Sequence, residues 1–129
     1  MSPSMSKEEF ETIAQQAFDS LPKDFTDRVD NVHIVVEDSP NDDALAKSGA
    51  TVTSLLGLYQ GIPLTRRTTW YGTYPTVPDT ISLYQSNIEA VCGTREEIEK
   101  RITEVLFHEL GHYFGMNEKE IRYAMRRFF

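Results

Sequence analysis

Helical patterns occur toward both ends of the chain, where hydrophobic residues recur every three or four positions and would share one face of a helix. Ser6 stands three residues before Glu9, and Thr94 three residues before Glu97, which is the spacing of a capping box at a helix N-terminus. Gly115 tolerates a positive φ and can therefore end the second helix. We predict helices over residues 6–21, 94–114 and 117–128.

Shorter segments between these helices are rich in β-branched and aromatic residues, which favour strands. We predict strands over residues 32–37, 54–61 and 80–86. The segment 38–51 holds a proline, a glycine and several acids, so we predict a loop with at most one helical turn at 43–47. Residues 64–80 lack steady periodicity, which predicts a long loop or a locally paired hairpin.

The order of these elements is helix, three strands and two helices, and this segregation predicts an α+β fold. The connections between strands are too short for several crossovers, so we predict a small mixed sheet with helices packed against it. The chain has 129 residues and shows neither an internal repeat nor a linker. We therefore predict a single domain over residues 1–129.

Composition and charge narrow the function classes. The chain is 40% hydrophobic and 26% charged, as soluble proteins are. No apolar run reaches the roughly 18 residues of a membrane span, and the first residues lack the features of a secretory signal. Together with the lone Cys92, this predicts a cytoplasmic protein without a membrane partner. The net charge of −7 argues against nucleic acid as a partner, and we expect a monomer.

The stretch "FHELGHYFGMNE" (107–118) carries two histidines four positions apart. At about 100° per residue, His112 lies about 40° from His108, and both border the predicted buried arc of the helix. Glu109 falls inside that arc, where an unpaired carboxylate is costly. It is explained by a catalytic role, by an ion pair with an arginine, or by a helix that is less buried than its pattern suggests.

The pattern H-E-x-x-H matches a zinc site on a helix, and it arises by chance in only on the order of a few chains per thousand at this length. Two imidazoles one turn apart can bind one Zn²⁺ ion, which lowers the pKa of a bound water to about 7. We predict His108 and His112 as metal ligands. Glu109 is then the predicted catalytic base that activates the water.

A third ligand is expected after the helix ends at Gly115. Glu118 occupies the last position of the extended pattern H-E-x-x-H-x-x-G-x-x-H, and a carboxylate is an acceptable zinc ligand there. We predict Glu118 as that ligand. Two alternatives stay open: Glu118 is only a first-turn acid favoured by the helix dipole beside Asn117, or the nearby Glu120 takes its place.

Other candidate residues have simpler explanations. His33 lies in a predicted strand, and we expect it to be structural. Cys92 could act as a thiolate ligand, as in deformylase-like amide hydrolases, but we expect a small buried residue. Tyr113 either packs in the core or forms a hydrogen bond near the metal.

The long loop holds a basic and aromatic cluster of four residues, Arg66, Arg67, Trp70 and Tyr71. It predicts either a substrate lid or a partly packed hairpin, and the sequence does not favour one over the other. The strand at 80–86 comes before the motif helix, so we expect it to form the edge of the cleft. An exposed edge there could bind a peptide as an added strand.

The chain resembles the small bacterial zincin-like metallopeptidases, or minimal zincins. The resemblance rests on "HIVVED", "LLGLYQGIPLTRR", "ISLYQSNIE" and "TREEIEKRITEVLFHELGHYFGMNEKEI", which occur in the family's order. It implies a one-domain zincin fold with a mixed sheet, His108 and His112 as zinc ligands, Glu109 as catalytic base and an acid ligand at Glu118. We expect no methionine turn of the metzincin kind after the motif.

The sequence thus favours a zinc-dependent peptidase that acts on peptides or proteins. The alternative is a non-catalytic domain that keeps the metal for folding or partner docking, and it is motivated by the missing methionine turn. A zinc amidase that acts on non-peptide substrates is a third hypothesis.

Overall fold

The computed structural model describes residues 4–63 and 79–129. In chain order the elements are α1 (Lys7–Ser20), α2 (Lys23–Thr26), β1 (Val32–Glu37), α3 (Asp42–Ser48), β2 (Gly57–Gln60), β3 (Asp79–Tyr84), α4 (Gln85–Ala90), α5 (Arg95–Tyr113) and α6 (Glu118–Phe128). This is the α+β fold that the order of elements predicted.

The described strands form one mixed sheet with the order β1-β3-β2. β3 runs parallel to β1 with Ile34 opposite Ile81, and antiparallel to β2 with Tyr59 opposite Ile81. The expectation that the strand at 80–86 offers an exposed edge to a peptide is therefore wrong, because this strand lies between two neighbours. Five of the six residues of β3 are buried, as suits a central strand.

The three predicted long helices are confirmed, and side chains cap each of them. Ser6 accepts a hydrogen bond from the Glu9 N–H, and Thr94 accepts one from the Glu97 N–H. Asn117 makes a full capping box with Glu120. The Asn117 side chain accepts a hydrogen bond from the Glu120 N–H, and the Asn117 N–H donates to the Glu120 side chain. Such caps are worth about 1 kcal/mol each, which explains why the starts of these helices are readable from sequence.

Short elements were predicted less well within the described residues. The helical turn expected at 43–47 is α3, whereas α2 and α4 were not predicted. The predicted strand at 80–86 ends at Tyr84 because Gln85 begins α4. The Gln85 side chain donates to the Met5 carbonyl, and the Asn87 side chain donates to the carbonyls of Val52 and Leu55. These long-range contacts of polar side chains hold α4 in place and leave no periodic signal in the sequence.

The core forms where α5 packs against α1 and the sheet. Among the large side chains, ten apolar or aromatic residues besides Tyr84 have almost no exposed surface: Phe10, Ile81, Leu83, Ile88, Ile98, Ile102, Leu106, Leu110, Tyr113 and Ile121. Half of these belong to α5, so the helix that carries the motif is also the central helix of the core. None of the helices in residues 4–63 and 79–129 is both long enough and apolar enough to cross a bilayer.

The contact between α5 and α6 depends on Gly111. A Cβ atom at this position would lie 2.5 Å from Ile121 Cγ1 and 2.8 Å from Ile121 Cδ1, distances that real side chains do not adopt. The absence of a side chain therefore lets α6 approach the last turns of α5 closely. This approach brings the first residue of α6 toward the histidines.

We expect Gly111→Ala to destabilise the protein by about 1 kcal/mol, because overpacking costs about 1–3 kcal/mol while alanine regains about 1 kcal/mol of helix propensity. Gly93→Ala is the matched control, since a Cβ at Gly93 would meet its nearest neighbour at 3.6 Å. Denaturant midpoints of both variants measure the difference. A Gly111→Ala protein as stable as the wild type would contradict the close packing of α6.

Candidate metal centre

The last two turns of α5 place the three motif residues as the helical projection predicted. The side chains of His108 and His112 are each 34% exposed, whereas the Glu109 side chain is only 9% exposed. Glu109 is therefore buried, and the described partners of its two oxygen atoms are a backbone amide and a histidine ring rather than an arginine.

α5 ends in a turn that reverses the chain toward the histidines. Gly115 has φ +82°, and its N–H donates to the His112 carbonyl, while the Met116 N–H donates to the Gly111 carbonyl. This pair of hydrogen bonds is a Schellman motif, which confirms Gly115 as the helix-ending glycine. Asn117 then caps α6 immediately, so Glu118 becomes the first residue of α6 and lies beside α5.

Glu118 contacts both histidines at once. Its Oε2 atom is 2.9 Å from His108 Nε2, and its Oε1 atom is 3.0 Å from His112 Nε2. The two imidazole rings are 4.9 Å apart and nearly perpendicular. Glu120 instead accepts a hydrogen bond from the Asn117 N–H in the capping box. Of these two acids in the first turn of α6, Glu118 is thus the one that meets the histidines.

Glu109 lies on the opposite edge of the His108 ring from Glu118. Its Oε2 atom is 2.8 Å from His108 Nδ1, and its Oε1 atom accepts a hydrogen bond of 2.9 Å from the Tyr59 N–H of β2. Donor atoms of His108, Glu109 and His112 lie within 4.8 Å of one another, which is close enough to hold a metal ion. Both acids therefore lie within reach of the histidine pair.

The acids change the protonation of the site. The hydrogen bond to Glu109 raises the pKa of His108 to about 9; burial opposes this shift, and the contact with Glu118 adds to it. The same contact lowers the pKa of Glu118, with the hydrogen bond from His108 as the largest cause. The two carboxylates therefore favour the protonated form of the His108 imidazole that lies between them.

The donor atoms suit zinc in type and in spacing. Two imidazole nitrogens and one carboxylate oxygen form the His₂Glu set found in catalytic zinc sites. Around a tetrahedral zinc ion, neighbouring ligand atoms lie about 3.3 Å apart. The Glu118 oxygens lie 2.9 and 3.0 Å from the two Nε2 atoms, so the donor atoms of these three side chains already converge as a zinc ligand set requires.

Other candidate residues lie elsewhere. His33 is exposed on β1, and Cys92 is buried with its pKa raised by burial; neither belongs to the metal-capable group found in the described residues. Tyr113 is fully buried, accepts a hydrogen bond from the Asp30 N–H and donates one to the Asp30 carbonyl, so it packs in the core. The cluster of Arg66, Arg67, Trp70 and Tyr71 falls outside the described residues.

Sequence reasoning missed the Tyr59 N–H as a member of the site. A backbone donor has no residue type to recognise, and its position depends on how β2 pairs with β3. Nothing in the sequence pattern gives this register. The one sequence feature that indicates such a donor is Glu109 in the predicted buried arc, because a buried carboxylate requires a hydrogen-bond donor.

Comparisons with known proteins concern the family and the fold. A family model described as zincin-like metallopeptidase matches residues 29–126. A solved structure of a conserved hypothetical protein from T. thermophilus is similar, with a TM-score of 0.55 and 22% sequence identity over 94% of this chain and 99% of the other. At this identity the likeness concerns the fold alone. A comparison with curated proteins gave no significant match.

The raised pKa of His108 predicts a pH-dependent stability of the metal-free protein. A pKa raised from 6.5 to about 9 means that the contribution is complete below pH 6.5 and is lost as the pH rises through about 9. Because His108 is partly exposed, we expect a loss of only about 1 kcal/mol.

Denaturant unfolding in the presence of a chelator, at pH 6 and pH 10, measures this loss. His108→Gln is the control, because its stability should change less between the two pH values. Equal changes for wild type and variant would show that His108 is not held as a cation by its carboxylate neighbours.

Proposed function

The chain belongs to the zincin-like metallopeptidases, and from this premise we propose that it is a zinc-dependent hydrolase of peptide bonds. His108, His112 and Glu118 are the proposed ligands, and Glu109 is the proposed base. The observation that carries the proposal is the convergence of both Nε2 atoms on the two oxygens of one carboxylate, at 2.9 and 3.0 Å. Peptides or proteins are the proposed substrates.

Glu118 is a better third ligand than Glu109 because of the direction each carboxylate takes. Glu118 meets both histidines at Nε2, so a single ion between these atoms is reached by all three side chains. Glu109 meets His108 at Nδ1 and is tied to β2 by the Tyr59 N–H. It is also the buried carboxylate, whereas the Glu118 side chain is 54% exposed at the mouth of the site.

A zinc ion in this site would polarise the substrate carbonyl and make a water molecule acidic at neutral pH. Glu109 supplies the proton acceptor. A carboxylate has about four acceptor sites, and its two described contacts leave others for the proton of a water molecule. The same carboxylate can then pass that proton to the leaving amine, which is the usual division of work between base and acid.

Glu118→Gln tests the ligand set. We expect zinc affinity to fall by more than about 100-fold, since even outer partners of zinc ligands are worth about 10–100-fold. Glu120→Gln is the matched control in the same helical turn, because glutamine preserves the capping box and should keep wild-type affinity. Competition with a chromophoric chelator measures the affinity, and elemental analysis gives the stoichiometry. If the wild-type protein binds no zinc, the proposed function is wrong.

Glu109→Gln tests the base. At zinc concentrations that saturate both proteins, we expect the rate of peptide hydrolysis to fall by about 100–10,000-fold, the usual contribution of general acid–base catalysis. Cleavage of a peptide library, followed by mass spectrometry, identifies a substrate for the rate measurement. A fully zinc-loaded variant that cleaves at the wild-type rate would show that Glu109 is not the base.

A further inference from the structure

The Glu109 carboxylate links β2 to the His108 ring. Oε1 accepts the Tyr59 N–H at 2.9 Å, and Oε2 lies 2.8 Å from His108 Nδ1. Burial requires donors for this carboxylate in any role, but here one of the two partners is a proposed metal ligand, His108. Both of its oxygens are occupied by groups of the protein, and the side chain is only 9% exposed.

A histidine that binds a metal through one nitrogen usually donates the other N–H to a carboxylate or carbonyl, which fixes its tautomer and ring orientation. Glu109 Oε2 occupies the place of that acceptor at Nδ1 of His108. With the proton at Nδ1, the Nε2 lone pair is directed at the side of the ring where Glu118 lies.

We propose that Glu109 is a positioning residue for His108, which orients this ligand for metal binding in addition to acting on substrate. The inference rests on the proposed function, because it treats His108 as a zinc ligand. It extends that function by coupling the metal site to β2, through a hydrogen bond from the backbone rather than from a side chain.

β2 can make this contact because Gly57 lets it approach α5 closely. A Cβ at Gly57 would lie 2.5 Å from Val105 Cγ1, 3.0 Å from the Ser82 carbonyl oxygen and 3.7 Å from Glu109 Cγ. The segment before β2 is also anchored, since the Asn87 side chain donates to two of its carbonyls. The position of the Tyr59 N–H beside Glu109 is therefore fixed by the packing of Gly57 against α5 and by the hydrogen bonds from Asn87.

Replacement by glutamine separates the two roles. A carboxylate accepts from two donors on its two oxygens, whereas a glutamine side chain has one acceptor oxygen and a donor NH₂ group. In Glu109→Gln, the NH₂ group must therefore face either the Tyr59 N–H or the His108 Nδ1–H. Replacement of a base that only touches substrate would weaken zinc binding only by the loss of its charge, and would leave the backbone donor of Tyr59 without effect on zinc affinity.

The first experiment measures zinc affinity of the full chain by chelator competition. We expect Glu109→Gln to bind zinc about 10–100-fold more weakly than the wild type. Glu99→Gln is the matched control, since it removes the same charge from the same helix about 15 Å away and breaks only an exposed contact with Arg95. Its affinity should equal that of the wild type.

A second pair of variants tests the backbone donor. Tyr59→Pro and Tyr59→Ala both lose the ring and its hydroxyl contact with Asp79, but only proline also removes the N–H. We expect the proline variant to bind zinc about 10-fold more weakly than the alanine variant. Circular dichroism of both proteins verifies that they are folded before the comparison.

The outcomes separate the two proposals. If the wild type binds no zinc, the proposed function and this inference both fail. If the wild type binds zinc and Glu109→Gln binds it equally well, the positioning role is wrong while the zinc site stands. Weaker binding by Glu109→Gln, together with weaker binding by the proline variant than by the alanine variant, supports the positioning role, because the proline substitution changes no charge.

Discussion

A carboxylate buried in the apolar face of α5 is the constraint on which the site depends. Removing an unpaired carboxylate from water costs several kcal/mol, so Glu109 requires donors inside the fold. β2 supplies one through the Tyr59 N–H, and the neighbouring His108 supplies the other. Through Glu109, the position of β2 against α5 is thus linked to the orientation of the His108 ring.

The second constraint is the short chain reversal after α5. Gly115 ends the helix with a positive φ, and Asn117 starts the next one two residues later. Because Gly111 has no side chain, α6 packs closely on α5 with the Ile121 side chain against this glycine. Because this reversal takes only a few residues, Glu118 is placed beside the histidines directly by the packing of α6 on α5.

Much of this was predictable because local rules decide it. Caps at Ser6, Thr94 and Asn117 fixed the starts of the long helices, and the projection of α5 placed Glu109 in the buried arc. The central position of β3 was not predictable, since the residue pattern of a single strand does not indicate which strands pair with it. The contact from the Tyr59 N–H was missed for a related reason: it depends on register, and every residue except proline carries the same backbone donor.

The three acids of the motif region show why residue type alone does not assign function. Glu109, Glu118 and Glu120 have identical side chains, yet one is buried between a strand and a ring, one bridges two imidazoles, and one closes a capping box. Their roles follow from the donors around them. Glu120 contacts a neutral backbone amide and serves the helix, whereas Glu118 faces two nitrogens that can lose their protons to a metal. A structural zinc site would need a closed set of four protein ligands. The contacts of Glu109 with Tyr59 and with the Nδ1 side of His108 direct it away from that fourth position, which supports the proposal of an open, catalytic site over a closed one.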